Sequence, residues 1–159
     1  MMKELPAGLQ IVRAQAFDAP RLSRIAVEAK RALAYPKDWI DYWRNELSIS
    51  PSRVLSSETY CATLDGKIAG FYELRRNQRF VELEHLWVLP RHQRRGIGLA
   101  LFAHAVERAR ECGFKGFVIT SDPNAAGFYK KMGARQFDTL CTEVQGQVRE
   151  LPMFVYDVA

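Results

Sequence analysis

Cysteine is scarce and scattered. The chain has three, Cys61, Cys112 and Cys141, an odd number with no CxxC pair. That argues against a disulfide framework or a zinc ribbon and predicts reduced thiols in a cytoplasmic protein. Histidine is equally thin: His85, His92 and His104 offer no metal-ligand spacing, so no metal is expected. Met1 to Gln10 lacks the apolar core and small-residue cleavage site of a secretory signal. The uncharged stretch Gly96 to Val106 falls far short of the ~20 residues of a spanning helix, so no membrane partner is expected. There is no internal repeat, low-complexity block or Gly/Ser linker, and residues 1–159 read as one domain.

What the chain does have is an average globular composition, 48% hydrophobic and 26% charged, with 23 Lys+Arg against 18 Asp+Glu and a net charge of +5. This excludes disorder and collagen-like repeats and is compatible with anionic partners such as nucleic acid or a phosphorylated cofactor. Leu9 to Ala16 predicts a strand. Asp18-Ala-Pro20 predicts a helix start, followed by Leu22, Ile25, Ala26 and Ala29 at helical spacing. Tyr35-Pro36 ends that helix, a second is predicted from Lys37 to Leu47, and Ser48 to Ser57 reads as a loop. Thr59–Leu64 and Lys67–Leu74 flank Asp65-Gly66, a strong hairpin signal. Phe80 to Leu89 predicts a strand, Gly96 to Cys112 a helix and Gly116 to Thr120 a strand. Asn124 to Met132 predicts a short helix, and strands Phe137–Val144 and Val148–Tyr156 flank Gln145-Gly146. The order β-α-α-β-β-β-α-β-α-β-β gives a mixed sheet with helices on its faces, an α/β or α+β fold.

The informative segment is Val88-Leu-Pro-Arg-His-Gln-Arg-Arg-Gly-Ile-Gly98, a strand leading through a basic loop into a helix. The first amides of a helix lack intrahelical partners, and with the helix dipole they form an anion site. Gly96 and Gly98 let a ligand approach the backbone, and Arg91, Arg94 and Arg95 add positive charge. The Walker pattern is absent, and a dinucleotide fingerprint fails because its sixth position is Leu101.

Gln93-Arg94-Arg95-Gly96-Ile97-Gly98 resembles the Q/R-x-x-G-x-G/A signature of the GCN5-related N-acetyltransferase (GNAT) superfamily. Leu86-Trp87-Val88-Leu89-Pro90 resembles that family's strand before the loop, and Ala125 to Ala134, with Tyr129 and Gly133, its A-x-x-x-Y-x-x-x-G-F/A segment. The resemblance covers about residues 9–158, with the strong motifs in 82–134. It implies a mixed, mostly antiparallel sheet flanked by helices on both faces, and acetyl-CoA-dependent transfer to a primary amine, small molecule or peptide, by direct attack in a ternary complex. It implies cofactor contacts from the main chain of Leu86, Trp87 and Val88, from the loop residues Gln93, Arg94, Arg95, Gly96, Ile97, Gly98 and Leu99, and from Asn124 and Phe128. The Val88 amide is the expected oxyanion donor. Relatives are often dimers, so a homodimer is an open expectation.

Such a transfer needs a proton removed from the ammonium and the leaving thiolate stabilised or protonated. Tyr129, at the family's tyrosine position, is the expected acid. Regular alternation would place Glu82, Glu84, Leu86 and Val88 on one face, leaving either glutamate as base and putting His85 on the opposite, structural face. Where many members carry an asparagine, this chain has Asp122. Asn124 could take over that contact or only cap a helix, and Asp122 could be the cap itself. Two alternatives stay open: a non-catalytic acyl-CoA-binding domain, and, with less support, a basic nucleic-acid-binding module.

Overall fold

The computed structural model describes residues 4–158; Met1 to Lys3, part of the N-terminal stretch read above, lie outside it. Seven strands, β1 (Leu9–Arg13), β2 (Glu58–Leu64), β3 (Lys67–Arg76), β4 (Val81–Val88), β5 (Gly116–Thr120), β6 (Arg135–Val144) and β7 (Gln147–Asp157), form one sheet in the order β1-β2-β3-β4-β5-β7-β6. All neighbours are antiparallel except β4 and β5. Both predicted hairpin turns adopt positive φ at their two central residues, 51° and 78° at Asp65-Gly66 and 50° and 79° at Gln145-Gly146, as a type I′ turn demands.

Helices α1 (Ala19–Arg31), α2 (Lys37–Trp43) and α3 (Pro51–Ser56) cover one face, and α4 (Ile97–Glu111) and α5 (Ala126–Lys131) the other. On the first face Leu22, Ile25, Ile40 and Trp43 bury against Phe71 and Leu89. On the second, the apolar row Ile97, Leu101, Ala105, Ala109 meets Leu83, Phe117 and Phe154. The expected sheet with helices on both faces is the one observed.

Several elements differ from their predicted form. β1 stops at Arg13, and residues 16–18 make a 3₁₀ turn ahead of α1. α2 ends at Trp43, short of Leu47. The predicted loop 48–57 contains α3, which starts where the Ser50 side chain accepts from Arg53 N–H (3.1 Å) with Pro51 as the first helical residue; this is an ordinary N-cap followed by proline.

The main correction concerns β4. Glu73 pairs with His85 and Leu74 with Leu83, so Glu84 is an extra residue without a partner on β3. Such a bulge reverses the alternation of the strand beyond it. Leu83 before it, and Leu86 and Val88 after it, all belong to the α4-side cluster, whereas Trp87 and Leu89 pack on the α1 side. Glu82 therefore does not share a face with Leu86 and Val88. His85 lies on the carboxylate side instead of opposite it.

β4 and β5 meet at the one partner pair Glu82↔Val118. β4 runs on to Val88 and β5 to Thr120 without further pairing, so the sheet forks toward the C-terminal ends of its two parallel strands. Across the mouth of the fork a cluster of polar side chains ties distant segments together. Lys30 Nζ bonds Asp122 at 2.7 Å, the Tyr35 hydroxyl bonds both Asp122 oxygens at 3.0 Å, and Arg149 donates to Tyr35 at 2.8 Å. Lys30 and Arg149 also sit over the Trp43 ring at 4.2 and 4.9 Å, cation–π contacts that strengthen with desolvation. Only about a tenth of each of these three charged side chains is exposed. Burial raises the Asp122 carboxyl, but Lys30 and the Asn124 amide more than offset it and hold it below the usual range. Deleting the carboxylate would strand two buried cations, a loss of about 3–5 kcal/mol.

Candidate active site

The fork ends at the entry to α4. Arg94 and Gly96 take positive φ, 63° and 82°, which turns the chain sharply into the helix. The first helical hydrogen bond runs from Ala100 N–H to Gly96 O (3.0 Å). The amides of Ile97, Gly98 and Leu99 therefore project from the helix end without intrahelical partners, beside Arg94 and Arg95. Gln93 closes the loop through its side chain, which donates to Val88 O at 3.0 Å. A Cβ on Gly98 would lie 3.6 Å from Phe128 and 3.9 Å from Val88. Helix entry, end of β4 and start of α5 thus converge on one point.

The direction of the β4 backbone follows from its register. Leu89 N–H donates to Ala69 O (2.8 Å), so in an antiparallel ladder Trp87 and His85 are the next residues bonded to β3. Leu86 and Val88 turn their N–H groups the other way, into the fork.

Tyr129 stands on the α4 side, ringed by Phe102, Phe128 and Phe154. Its hydroxyl has no hydrogen-bond partner among the described residues, yet it is not sealed from solvent. Burial and then the charge of Asp122 push its ionisation upward, which keeps the phenol protonated. Asn124, expected at the cofactor, spends its side chain on Asp122 (2.9 Å) and Tyr35 (3.0 Å). Asp122 caps the turn before α5 by accepting from Asn124 N–H (2.9 Å).

On the other face of the sheet lies a cleft of about 770 Å³, walled by Tyr42, Trp43 and Trp87 and floored by Glu82, Glu84 and His85. The two glutamates differ. Glu84 is held by Arg53 and by Arg75 (3.3 Å), and Arg53 is shared with the fully buried Glu73. Glu82 has no ion pair among the described residues. Burial, then the neighbouring Glu84 charge, raises its ionisation above the usual carboxylate range, against the opposing pull of Arg75, Thr120 and Arg53. Of the aromatics on and just before α2, Tyr42 and Trp43 line the cleft, while Tyr35 and Trp39 pack behind Trp43. Sequence reasoning missed Arg53, Lys30 and Arg149 as parts of this wall.

A family model for the acetyltransferase (GNAT) family matches residues 20–134. The chain belongs to that family. Its fold is similar to a GCN5-related N-acetyltransferase from Rhodopseudomonas palustris (21% identity, TM-score 0.78, 99% of this chain and 98% of that one). It is also similar to the PaiA N-acetyltransferase from Thermoplasma acidophilum in complex with coenzyme A (20% identity, TM-score 0.72, 92% and 97%). A third likeness is to a GNAT family acetyltransferase from Elizabethkingia anophelis with acetyl-CoA bound (20% identity, TM-score 0.67, 96% and 99%). No curated protein matches the chain in sequence. No helix among the described residues is long and apolar enough to cross a membrane.

The convergence at Gly98 makes a prediction. If the open amides of the helix entry take the phosphates of acetyl-CoA, Gly98→Asp should weaken its binding about tenfold or more, or ~1.4 kcal/mol, because a carboxylate would then face them. An acid in the first turn is itself favourable to a helix, so the fold should hold. Gly127→Ala, whose Cβ meets nothing within 4 Å, should bind like wild type. Titration calorimetry on both variants checks this.

Proposed function

We propose that this protein is an acetyl-CoA-dependent N-acetyltransferase that moves the acetyl group directly to a primary amine in a ternary complex. The observation that carries the reading is the fork between β4 and β5, which opens onto the free amides at the entry to α4. Relatives of the same fold that hold coenzyme A or acetyl-CoA support it. The residues present suit that group. The amides of Gly96 to Leu99, with Arg94 and Arg95, offer a phosphate cradle, and the main chain of Leu86 to Val88 offers hydrogen bonds to an extended arm.

Acetyl-CoA, when bound, supplies a thioester carbonyl as the electrophile. The chain's own groups then divide the work across the sheet. Val88 N–H, turned into the fork, donates to oxygen charge that develops there. Glu82 takes a proton from the incoming ammonium, directly or through a water, from the cleft face; its raised ionisation brings it closer to the working range of a base. Tyr129 holds a proton on the opposite face, where a departing sulfur can receive it. Glu84 is already spent on two arginines and serves as structure. No cysteine sits at these positions, so the reading involves no acetyl-enzyme. The three free cysteines support a cytoplasmic setting for the protein.

Two measurements test this. Saturating acetyl-CoA should raise the melting temperature by linkage, worth about 2.7 kcal/mol at a hundredfold excess over its Kd. Thiol release should appear on adding primary amines. A melt that responds to NADH or ATP instead of acetyl-CoA would sink the reading. A response to acetyl-CoA without thiol release on a broad amine panel would assign a binding role in place of catalysis.

A further inference from the structure

One buried polar group in the cleft takes no part in the proton transfers above. His85 is 8% exposed, and the bulge at Glu84 aims it into the cleft that holds Glu82. Its Nδ1 accepts a hydrogen bond from Trp87 Nε1–H at 2.9 Å. An indole N–H can only donate, so Nδ1 carries no proton and the ring is neutral, with its proton on Nε2. Burial, the largest influence, depresses its ionisation to about 4, in keeping with that tautomer. With Nδ1 occupied, His85 has no free lone pair and cannot act as a base. Its Nε2–H has no hydrogen-bond partner among the described residues and is reached by solvent. A neutral, oriented donor therefore points at whatever fills the cleft.

The charges around it limit what that can be. Every cation that lines the cleft among the described residues is engaged: Lys30 and Arg149 with Asp122, Arg53 with Glu73 and Glu84. Among the described residues Glu46, Glu82 and Glu143 line the same cleft without an ion pair. A carboxylate on the acceptor would meet repulsion and no uncommitted cation. An uncharged oxygen would meet the Nε2–H donor.

We infer that His85 is a specificity-determining residue whose Nε2–H donates to an uncharged oxygen of the acceptor. The acceptor is then a primary amine bearing an amide carbonyl or a hydroxyl, not an amino acid or peptide whose free carboxylate lies close to the amine. This rests on the acetyltransferase reading.

The test measures acetyl transfer by the full chain on four amines: alanyl-alaninamide, ethanolamine, propylamine and alanyl-alanine. Comparing wild type with His85→Phe on the same amine cancels differences in amine basicity. KM should rise about three- to tenfold in His85→Phe for the oxygen-bearing amine, the worth of one neutral hydrogen bond, with propylamine unchanged within about twofold. Whether the dipeptide amide or ethanolamine responds distinguishes a carbonyl from a hydroxyl. His85→Gln, whose side-chain amide can still donate, should restore most of the loss. Alanyl-alanine should be the poorest of the four. Equal KM changes on all amines, no change on any, or alanyl-alanine matching its amide would each overturn the inference. If wild type transfers to none of the four, nor to any amine of the broad panel, although acetyl-CoA raises its melting temperature, it is the acetyltransferase reading that falls. The His85 donor is then read directly by the ¹⁵N shift of Nε2 on adding alanyl-alaninamide against propylamine, and no difference between the two overturns it.

Discussion

Tyr129→Phe should lower kcat by about 10²–10⁴, the usual span for a general acid, with KM for acetyl-CoA close to wild type. The substitution removes one oxygen and leaves the ring among Phe102, Phe128 and Phe154, so packing is preserved. The hydroxyl has no partner to abandon within the described residues, so nothing buried is left unsatisfied by its loss. Its bond to the departing sulfur forms mainly in the transition state, which is why kcat and kcat/KM should fall together. Steady-state kinetics on a responsive amine, beside a melting curve, provide the check. A wild-type rate in the Phe variant would end the acid role and move the proton to water.

Glu82→Gln should cut the rate at neutral pH by about 10²–10³ and recover as pH rises and free amine replaces ammonium. Glu84→Gln should produce no loss that recovers at high pH, because Glu84 is engaged with Arg53 and Arg75; it should only move the acidic limb to lower pH, since the Glu84 charge that helps raise Glu82 is gone. Stability separates a catalytic loss from a folding defect. Glu82 ionises at higher pH in the folded chain than in the unfolded one, so the folded state binds the proton more tightly. Its stabilising contribution is present below the unfolded pKa and is lost as pH rises through the folded one. The glutamine variant is free of that cost and should melt at or above wild type at pH 7 and gain nothing at pH 4. A pH–rate profile and melts at both pH values read out each part. If Glu84→Gln produced the pH-dependent loss instead, the base assignment would move to Glu84.

Features set by local backbone demands were legible in the sequence. Asp65-Gly66 and Gln145-Gly146 announce their turns because few other pairs accept positive φ at both positions. The basic loop into Gly96 announces a helix entry for the same reason, and Asp122-Pro123 announces a cap. The N-cap of α3 was equally readable in Ser50-Pro51, but a six-residue helix carries too little periodicity to stand out from a loop. What could not be read depends on pairing across the chain. Leu83-Glu84-His85-Leu86 looks like uninterrupted alternation, and only its register against β3 reveals that one residue is skipped. Glu82 and Glu84 look equivalent until Arg53, some thirty residues earlier, takes one of them. Lys30, Asp122 and Arg149 come from three distant segments, and nothing local in any of them announces the others.

The skipped residue gives β4 a property that side-chain chemistry alone does not capture: the strand counts. Exchanging Glu84 for another residue keeps the number of links between Glu82 and Leu89 and so keeps the phase of everything after it. Deleting Glu84 would only close the bulge, because Leu83 and His85 already face neighbouring residues of β3, but deleting Leu86, past the bulge, would swap the remainder of the strand's tail. Val88 would then turn toward α1, and Trp87 and Leu89 toward α4, with the Val88 amide now aimed into the fork turned back to β3. The loop beyond would be drawn in by about 3.3 Å, the rise of one strand residue, and the helix entry would no longer meet Phe128. In this segment the length of the chain is as much a part of the site as the identity of its residues, and substitutions and deletions at the same position belong to different classes of damage.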